Sequence, residues 1–172
     1  MTLPPHLPEA LHDFICVTEV ENGGFFVTEL FQRKFGHVPP EFGRHIVAFV
    51  RMDNTHLYAA SYLHFWQKDS YGLIGGGCTD GTVLRRLSPE RLATVNAAGG
   101  LLRQTLLYGF ERFAPGLEAF FGHCGDARAK EVDLAAGFLE THDQHLLVRW
   151  VGTPTPERQA TLINEALTMG AF

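Results

Sequence analysis

The sequence has little of what marks several large classes of protein. Three cysteines in 172 residues, at positions 16, 78 and 124, are an odd number at wide spacing, which excludes a disulfide framework and a Cys-x-x-Cys metal motif. Its longest uncharged apolar runs, such as residues 45–50, fall far short of the ~20 residues of a membrane span. Residues 1–8 lack positive charge and an apolar centre, so we expect no secretory signal and a cytoplasmic protein.

Basic charge is also scarce. Fourteen Lys and Arg residues face nineteen Asp and Glu residues, giving a net charge of −5, so we expect neither a nucleic-acid nor a membrane partner. Nine histidines are scattered, and the pair His142 and His145 lacks a third ligand nearby, so no metal is expected. The remaining composition, 45% hydrophobic and 19% charged, is that of a globular protein, and the length predicts one domain over residues 1–172.

Apolar periodicity and turn residues define the order of elements. The predicted elements are a strand at 14–20, a helix ending at Gly36, strands at 45–52, 57–67 and 71–77, a helical run at 88–113, a strand at 119–124, a helix at 127–136, paired strands at 138–141 and 145–151, and a final helix at 155–170. The three strands in a row suggest an antiparallel meander. The whole order predicts an α/β protein (mixed α+β) with a mixed sheet and helices on its faces.

The helical run that begins at Ser88 contains two adjacent glycines in its middle. Each costs about 1 kcal/mol in a helix interior, so we expect a break or tight packing there. A break would leave free backbone N–H groups at a helix start, where an anion can bind, whereas a continuous helix would use them internally. The candidate residues for this anion site are Ala97, Ala98, Gly99 and Gly100.

A glycine cluster at residues 75–82 is a second candidate anion site. It lies at the C-terminal end of a predicted strand and is followed by Arg85 and Arg86, which could meet phosphates. It lacks the Lys-Ser/Thr pair of a Walker A loop. The alternative is a bulge and a turn followed by two solvated arginines.

Residues 119–151 resemble the GNAT N-acetyltransferase superfamily. Residues 126–138 are similar to the family's N-x-x-A-x-x-φ-Y-x-x-x-G-F helix, in which φ is apolar, and residues 145–150 resemble its last strand. The element order over 14–151 also fits. The positions that match the helix motif are Ala129, Val132, Gly137 and Phe138, with Asp126 in the place of the family's Asn.

The resemblance implies a fold and an activity. The fold would be a single GNAT-like domain: a central, mixed, mostly antiparallel sheet with helices on both faces, a core at about 14–151 and a C-terminal helix at about 155–170. The activity would be acyl transfer from acetyl-CoA or another acyl-CoA to an amine of a small molecule or a protein. The alternative is a catalytically silent GNAT-fold module for ligand binding or assembly. Dimers are common in the family, so a homodimer is a further expectation.

The resemblance also places the reaction centre where the fourth and fifth strands separate. Backbone groups of Gly76, Gly77 and Cys78 would hold the thioester. Residues 97–100, or Arg85 and Arg86, would hold the pyrophosphate, and Asp126 is a further coenzyme-binding candidate. The family's phosphate motif R/Q-x-x-G-x-G/A is degenerate, because the aligned residues are Ala93, Asn96 and Ala98, of which only Ala98 fits.

Four residues are candidates for the catalytic chemistry. His123 or His64 could accept a proton from the amine, although a strand histidine is more often packed and hydrogen-bonded. Cys124 could act with His123 in a different thioester-handling enzyme, although buried free cysteine is common. Asp133 stands where the family has a tyrosine acid; an ionised Asp cannot donate a proton unless burial raises its pKa, so we expect a solvated carboxylate on a helix face.

Five phenylalanines occupy the stretch that, by resemblance, lines the acceptor pocket. Their helical spacing favours ordinary core residues over an aromatic binding surface. These residues are Phe25, Phe26, Phe31, Phe35 and Phe42.

Overall fold

The computed structural model describes residues 7–172, so the expectation about a secretory signal concerns residues that lie largely outside the described part. No helix between residues 7 and 172 is both long and apolar enough to cross a bilayer. The strands are β1 (Ile15–Val20), β2 (Arg44–Arg51), β3 (Leu57–Lys68), β4 (Tyr71–Thr79), β5 (Ala119–His123), β6 (Leu139–Glu140) and β7 (Leu146–Trp150). The helices are α1 (Gly23–Phe35), α2 (Gly81–Leu84), α3 (Pro89–Ala97), α4 (Leu101–Phe113), α5 (Ala127–Ala135) and α6 (Pro156–Thr168), with a 3₁₀ turn at Glu9–Leu11.

The strands form one sheet in the order β1-β2-β3-β4-β5-β7-β6. The pairs from β1 to β4 are antiparallel, so the meander predicted for the three strands β2, β3 and β4 is confirmed, and β5, β7 and β6 are antiparallel as well. Only β4 and β5 run parallel within this sheet, joined by the crossover that carries α3 and α4. The expected mixed, mostly antiparallel sheet with helices on both faces and a C-terminal helix is confirmed.

The parallel pairing of β4 and β5 is short. It joins four residue pairs, from Tyr71 opposite Ala119 to Ile74 opposite Gly122. Beyond Ile74, β4 continues along β3 to Thr79, while β5 continues along β7. The two strands therefore separate, and a cleft opens at their C-terminal ends.

Helices cover both faces of the sheet because neighbouring strand residues point to opposite sides. On one face, α4 packs with the 3₁₀ turn, α3 and α5 over the largest cluster of buried side chains, and on the other face α1 and α6 cover two smaller clusters. The alternation is visible in the pairs Ile46 and Val47, Tyr62 and Leu63, and Phe120 and Phe121, whose members belong to different clusters. The helix α6 buries Leu162 and Ala166 against the sheet.

The helical run after Ser88 is broken, as its glycine pair predicted. Gly99 and Gly100 have φ of 85° and 84°, a left-handed conformation that separates α3 from α4. The side-chain amide of Gln104, which belongs to α4, donates to the carbonyl of Ala98 at 2.7 Å. This hydrogen bond stabilises the break between the two helices. Two of the residues aligned with the phosphate motif, Ala93 and Asn96, lie within α3.

One boundary predicted in this region is wrong. The strand predicted at 71–77 continues through the glycine cluster to Thr79, and α2 begins at Gly81, where no helix was predicted. The side chain of Asp80 accepts the N–H of Thr82 and caps α2, an element too short for its periodicity to show in the sequence.

Candidate functional site

A cavity of about 320 Å³ lies where β4 and β5 separate. Much of its wall is bare backbone, because glycines line both strands at this point. Its other walls come from the first turn of α4 and from one side of α5. The lining residues are Phe35, Leu63, Ile74, Gly75, Gly76, Gly77, Leu102, Gly122, His123, Cys124, Gly125, Asp126, Ala129, Asp133 and Phe138.

A bulge in β4 exposes part of this backbone. Tyr62 lies opposite Cys78, but His64 lies opposite Gly75, so β4 holds one residue more than β3 across this interval. Gly76 has φ of 61°, and an ideal Cβ at this position would lie 2.8 Å from a ring carbon of Phe31. The bulge therefore requires glycine on both conformational and steric grounds, and it takes backbone polar groups at the cavity wall out of the β-ladder.

Asp133 lies in the cavity wall on α5, so the expectation of a solvated carboxylate is wrong. Burial raises the pKa of its carboxyl from the usual 3.8 to about 6, and the thiol of Cys124, within hydrogen-bonding reach, partly opposes this shift. A fraction of this carboxyl is therefore protonated near neutral pH, at the position that the sequence resemblance aligns with the motif's tyrosine.

Cys124 is buried, and its Sγ donates to the carbonyl of Asp126 at 3.3 Å. Burial raises the pKa of this thiol, which disfavours the thiolate that nucleophilic attack requires. Cys78 does not line the cavity; its side chain packs with Tyr62 under α1, and burial raises its pKa to about 12. No disulfide joins any of Cys16, Cys78 and Cys124.

The two candidate histidines lie in different surroundings. His123 ends β5 and lines the cavity, with its ring centroid 5.6 Å from that of His145. His64 is buried beneath the segment between α1 and β2, and its Nε2 donates to the carbonyl of Phe42 at 2.7 Å. Burial lowers the pKa of His64, and its side chain is not among those lining the cavity. Of the two, His123 is the histidine in position to meet a ligand.

The start of α4 adjoins the cavity, because Leu102 lines it. Gly99 and Gly100 donate their N–H groups to Asn96 and Val95 and so close α3, whereas the first-turn N–H groups of α4 lack an intrahelical acceptor. The guanidinium of Arg103 folds back over this start and donates to the carbonyl of Ala98 at 3.3 Å. Sequence reasoning missed Arg103 and Gln104, although their places in the first turn after the glycine pair could have indicated them.

The remaining coenzyme-binding candidates are Arg85, Arg86 and Asp126. Arg85 and Arg86 are exposed and do not line the cavity, and the Arg86 guanidinium lies 4.2 Å over the ring of Tyr58. This matches the alternative of a bulge, a turn and an arginine pair. Asp126 lines the cavity, but its carboxylate accepts the N–H of Ala129 at 2.8 Å and caps α5. Between residues 7 and 172, no three His, Cys, Asp or Glu side chains are arranged to hold a metal ion.

The five phenylalanines are not ordinary core residues as a group. Phe31 is buried, but Phe25 is 82% exposed, and Phe26, Phe35 and Phe42 are 42% to 59% exposed. Phe35 lines the cavity, and the Phe42 ring packs edge-on against His64 and the indole of the neighbouring strand residue Trp66. The spacing that suggested core residues therefore does not separate the buried Phe31 from the four exposed phenylalanines.

No family profile and no curated protein sequence matches the chain. Solved structures do resemble it. N-acetylglutamate synthase from Neisseria gonorrhoeae, complexed with coenzyme A and L-arginine, gives a TM-score of 0.49 at 11% identity over 81% of this chain and 34% of that chain. Apo FdhC, a nucleotide-linked sugar GNAT, gives 0.46 at 11% identity over 89% and 93%, and the KacTA–DNA complex gives 0.44 at 12% identity over 87% and 99%. The chain thus spans about a third of the synthase, and at these identities the likeness concerns the fold alone.

Proposed function

From a chain with the fold of the GNAT N-acetyltransferases, we propose an acyl-CoA-dependent N-acyltransferase that uses acetyl-CoA and a primary amine. The observation that carries the proposal is the glycine-lined cavity of about 320 Å³ at the point where β4 and β5 separate, beside the start of α4. A flat peptide-like chain such as the pantetheine arm of coenzyme A needs close approach to backbone, which glycine allows.

Two features would anchor the coenzyme. The first-turn N–H groups of α4 and the Arg103 guanidinium present positive charge to the pyrophosphate. Backbone groups at the Gly76 bulge would donate hydrogen bonds to and accept them from the pantetheine amides, and a backbone N–H there would donate to the thioester carbonyl. The cavity is lined by Leu102 of that first turn, so both anchors belong to one continuous surface.

The cavity side chains supply the two proton transfers. The amine nitrogen attacks the thioester carbonyl, so a C–N bond forms and the C–S bond breaks. His123 would take the proton from the nitrogen, and Asp133 would give a proton to the departing sulfur. With a pKa of about 6, roughly a tenth of Asp133 is protonated at pH 7. Positioning of the amine against the thioester would supply most of the rate acceleration, so this protonated fraction of Asp133 is sufficient for catalysis.

A catalytically silent binding module is the second candidate, and the carboxylate in the place of the family's tyrosine favours it. A cysteine enzyme built on Cys124 and His123 has less support, because burial raises the pKa of the thiol.

A thermal-shift titration with acetyl-CoA and with CoA tests the coenzyme site. A ligand at 100 times its Kd adds about 2.7 kcal/mol of stability, which is several degrees for a chain of this size. Gly77→Val should abolish the shift, because an ideal Cβ at Gly77 already lies 3.2 Å from Leu102. Gly81→Ala is the matched control, since only the flexible end of Arg85 meets its Cβ.

Release of free thiol from acetyl-CoA, measured with a panel of amines, then tests transfer. A thermal shift with turnover supports the acyltransferase, and a thermal shift without turnover supports the silent module. No shift at millimolar ligand, or an equal shift in Gly77→Val, would overturn both assignments of the cavity.

A further inference from the structure

The segment Gly170–Phe172 leaves the end of α6 and returns to the sheet. Gly170 has φ of 72° and ends the helix, with its N–H bonded to Leu167. The segment then crosses β4 at Gly75, where an ideal Cβ would lie 2.6 Å from the carbonyl carbon of Phe172 and closer still to its oxygen. The main chain of Phe172 therefore rests directly on β4, one residue past its last pairing with β5.

The ring of Phe172 packs on an apolar surface of the same face. It is half-buried against the cluster under α6, together with Trp66, Trp150 and Met169. Its centroid lies 6.1 Å from that of His123. The segment thus brings an apolar ring beside the histidine that lines the cavity.

This position is the acceptor side of the proposed reaction. Leu102 and Leu63 adjoin Gly77 on the α4 face, where the coenzyme would be anchored. Phe172 lies on the other face, where α6 packs. An amine that approaches the thioester opposite the coenzyme anchor therefore enters on the face that carries α1 and α6, and Phe172 is the residue of that face that lies on Gly75 and beside His123.

We propose that Gly170–Phe172 occupies the acceptor groove as an internal substitute for substrate, and that the acceptor is a primary amine carrying an aromatic ring. The ring of the acceptor takes the pocket of Phe172, and its nitrogen reaches the thioester near Gly75. This inference rests on the proposed function and names the substrate class of the same site.

The surroundings of Phe172 favour an aromatic monoamine over a polyamine. Its ring packs against a buried apolar cluster and lies beside the imidazole of His123, so the site favours apolar and aromatic surface. At the edge of the cluster, the ammonium of Lys68 lies 3.1 Å from the sulfur of Met169. A second ammonium on the acceptor would meet this like charge.

Tryptophan fluorescence provides a readout that does not depend on activity. Both tryptophans of the chain, Trp66 and Trp150, pack in the cluster that holds Phe172. Titration of the protein with 2-phenylethylamine, in the presence and absence of acetyl-CoA, should give a saturable change in emission, whereas spermidine should give none. Acetyl transfer to 2-phenylethylamine should exceed transfer to spermidine by about tenfold or more.

Removal of the segment is the decisive variant. Deletion of residues 171–172, and separately Phe172→Ala, should lower the Kd for 2-phenylethylamine by about tenfold if the segment fills the groove nine-tenths of the time. The Kd of the deletion variant is read by calorimetry. Leu57→Ala, a 56% exposed residue outside the cleft, is the matched control and should behave as the unmodified protein.

The outcomes separate this inference from the proposed function. If amines are acetylated but the deletion leaves emission, Kd and amine preference unchanged, the inference is wrong and the acyltransferase stands. If acetyl-CoA does not bind while 2-phenylethylamine still displaces the segment, the acyltransferase is wrong and the groove assignment stands. Preference for spermidine in the unmodified protein would overturn the aromatic acceptor.

Discussion

Replacement of Asp133 by asparagine should stabilise the protein at neutral and alkaline pH. Burial raises the pKa of this carboxyl to about 6 in the folded chain, against 3.8 in its usual state. The folded protein therefore binds more protons than the unfolded chain between these values. The contribution of the neutral carboxyl to stability is complete below about pH 4 and is lost as the pH rises through 6. Asparagine has nearly the same shape and does not ionise, so the variant lacks this loss.

The size of the effect follows from the shift. A pKa raised by about 2 units corresponds to at most ~3 kcal/mol at pH 8. Because the Asp133 side chain lines a cavity open to water, solvent screening reduces this to about 1–2 kcal/mol. For a chain of this length the melting temperature should rise by about 3–6 °C at pH 8, with little difference at pH 4.

Thermal melts of both proteins at pH 4, 5, 6, 7 and 8 provide the assay. Asp143→Asn is a matched control of opposite sign, because backbone N–H groups of His145 and Leu146 lower the pKa of Asp143. The ionised carboxylate of Asp143 stabilises the fold at pH values above its pKa in the unfolded chain. Asparagine at position 143 should therefore destabilise the protein at neutral pH. An equal difference between the Asp133 variant and the unmodified protein at pH 4 and pH 8, or a less stable variant at pH 8, would refute the burial argument.

Three other substitutions test separate parts of the structure. Gly100→Ala should cost about 1–3 kcal/mol and weaken the thermal shift by CoA, because φ of 84° with ψ of 166° suits glycine alone; an unchanged melting temperature would contradict the helix break. Tyr62→Phe should cost about 1–3 kcal/mol in urea unfolding, because it removes the 2.8 Å hydrogen bond to buried His45, and a neutral effect would show that the imidazole finds another partner. Arg158→Met breaks the double hydrogen bond that lowers the pKa of Glu118 to about 2. The variant should be less stable than the unmodified protein at pH 7, and this difference in stability should fade as the pH falls from about 4.5 to 2. A difference that does not depend on pH would point to packing instead.

Local signals in the sequence were sufficient for most of the elements. The turn and cap residues between apolar stretches placed each strand, and the glycine pair placed the break between α3 and α4, because backbone conformation there depends on the residues themselves. Two features were missed. The helix α2 has only four residues, and the end of β4 was placed too early because a bulged strand and a turn have the same glycine-rich composition.

The site depended on information that is not local. The helix α5 has no distinct apolar stripe, so spacing did not indicate that Asp133 faces the cavity. The contact between Gly75 and Phe172 could not be predicted from the residues near either position, because the two meet only when α6 has packed on the sheet. Phe42 is exposed, although phenylalanine is usually a core residue. Its position follows from the hydrogen bond that its carbonyl accepts from His64.

The short parallel contact between β4 and β5 has a consequence for how the protein folds. The meander β2–β4 forms by closing short connections, whereas β5 must find β4 across the segment from Thr79 to Ala119, which costs more chain entropy. We therefore expect pulsed hydrogen exchange to show protection in the meander before β5 and β7. The cleft, which exists only between these two halves, would then be the last part of the molecule to appear during refolding.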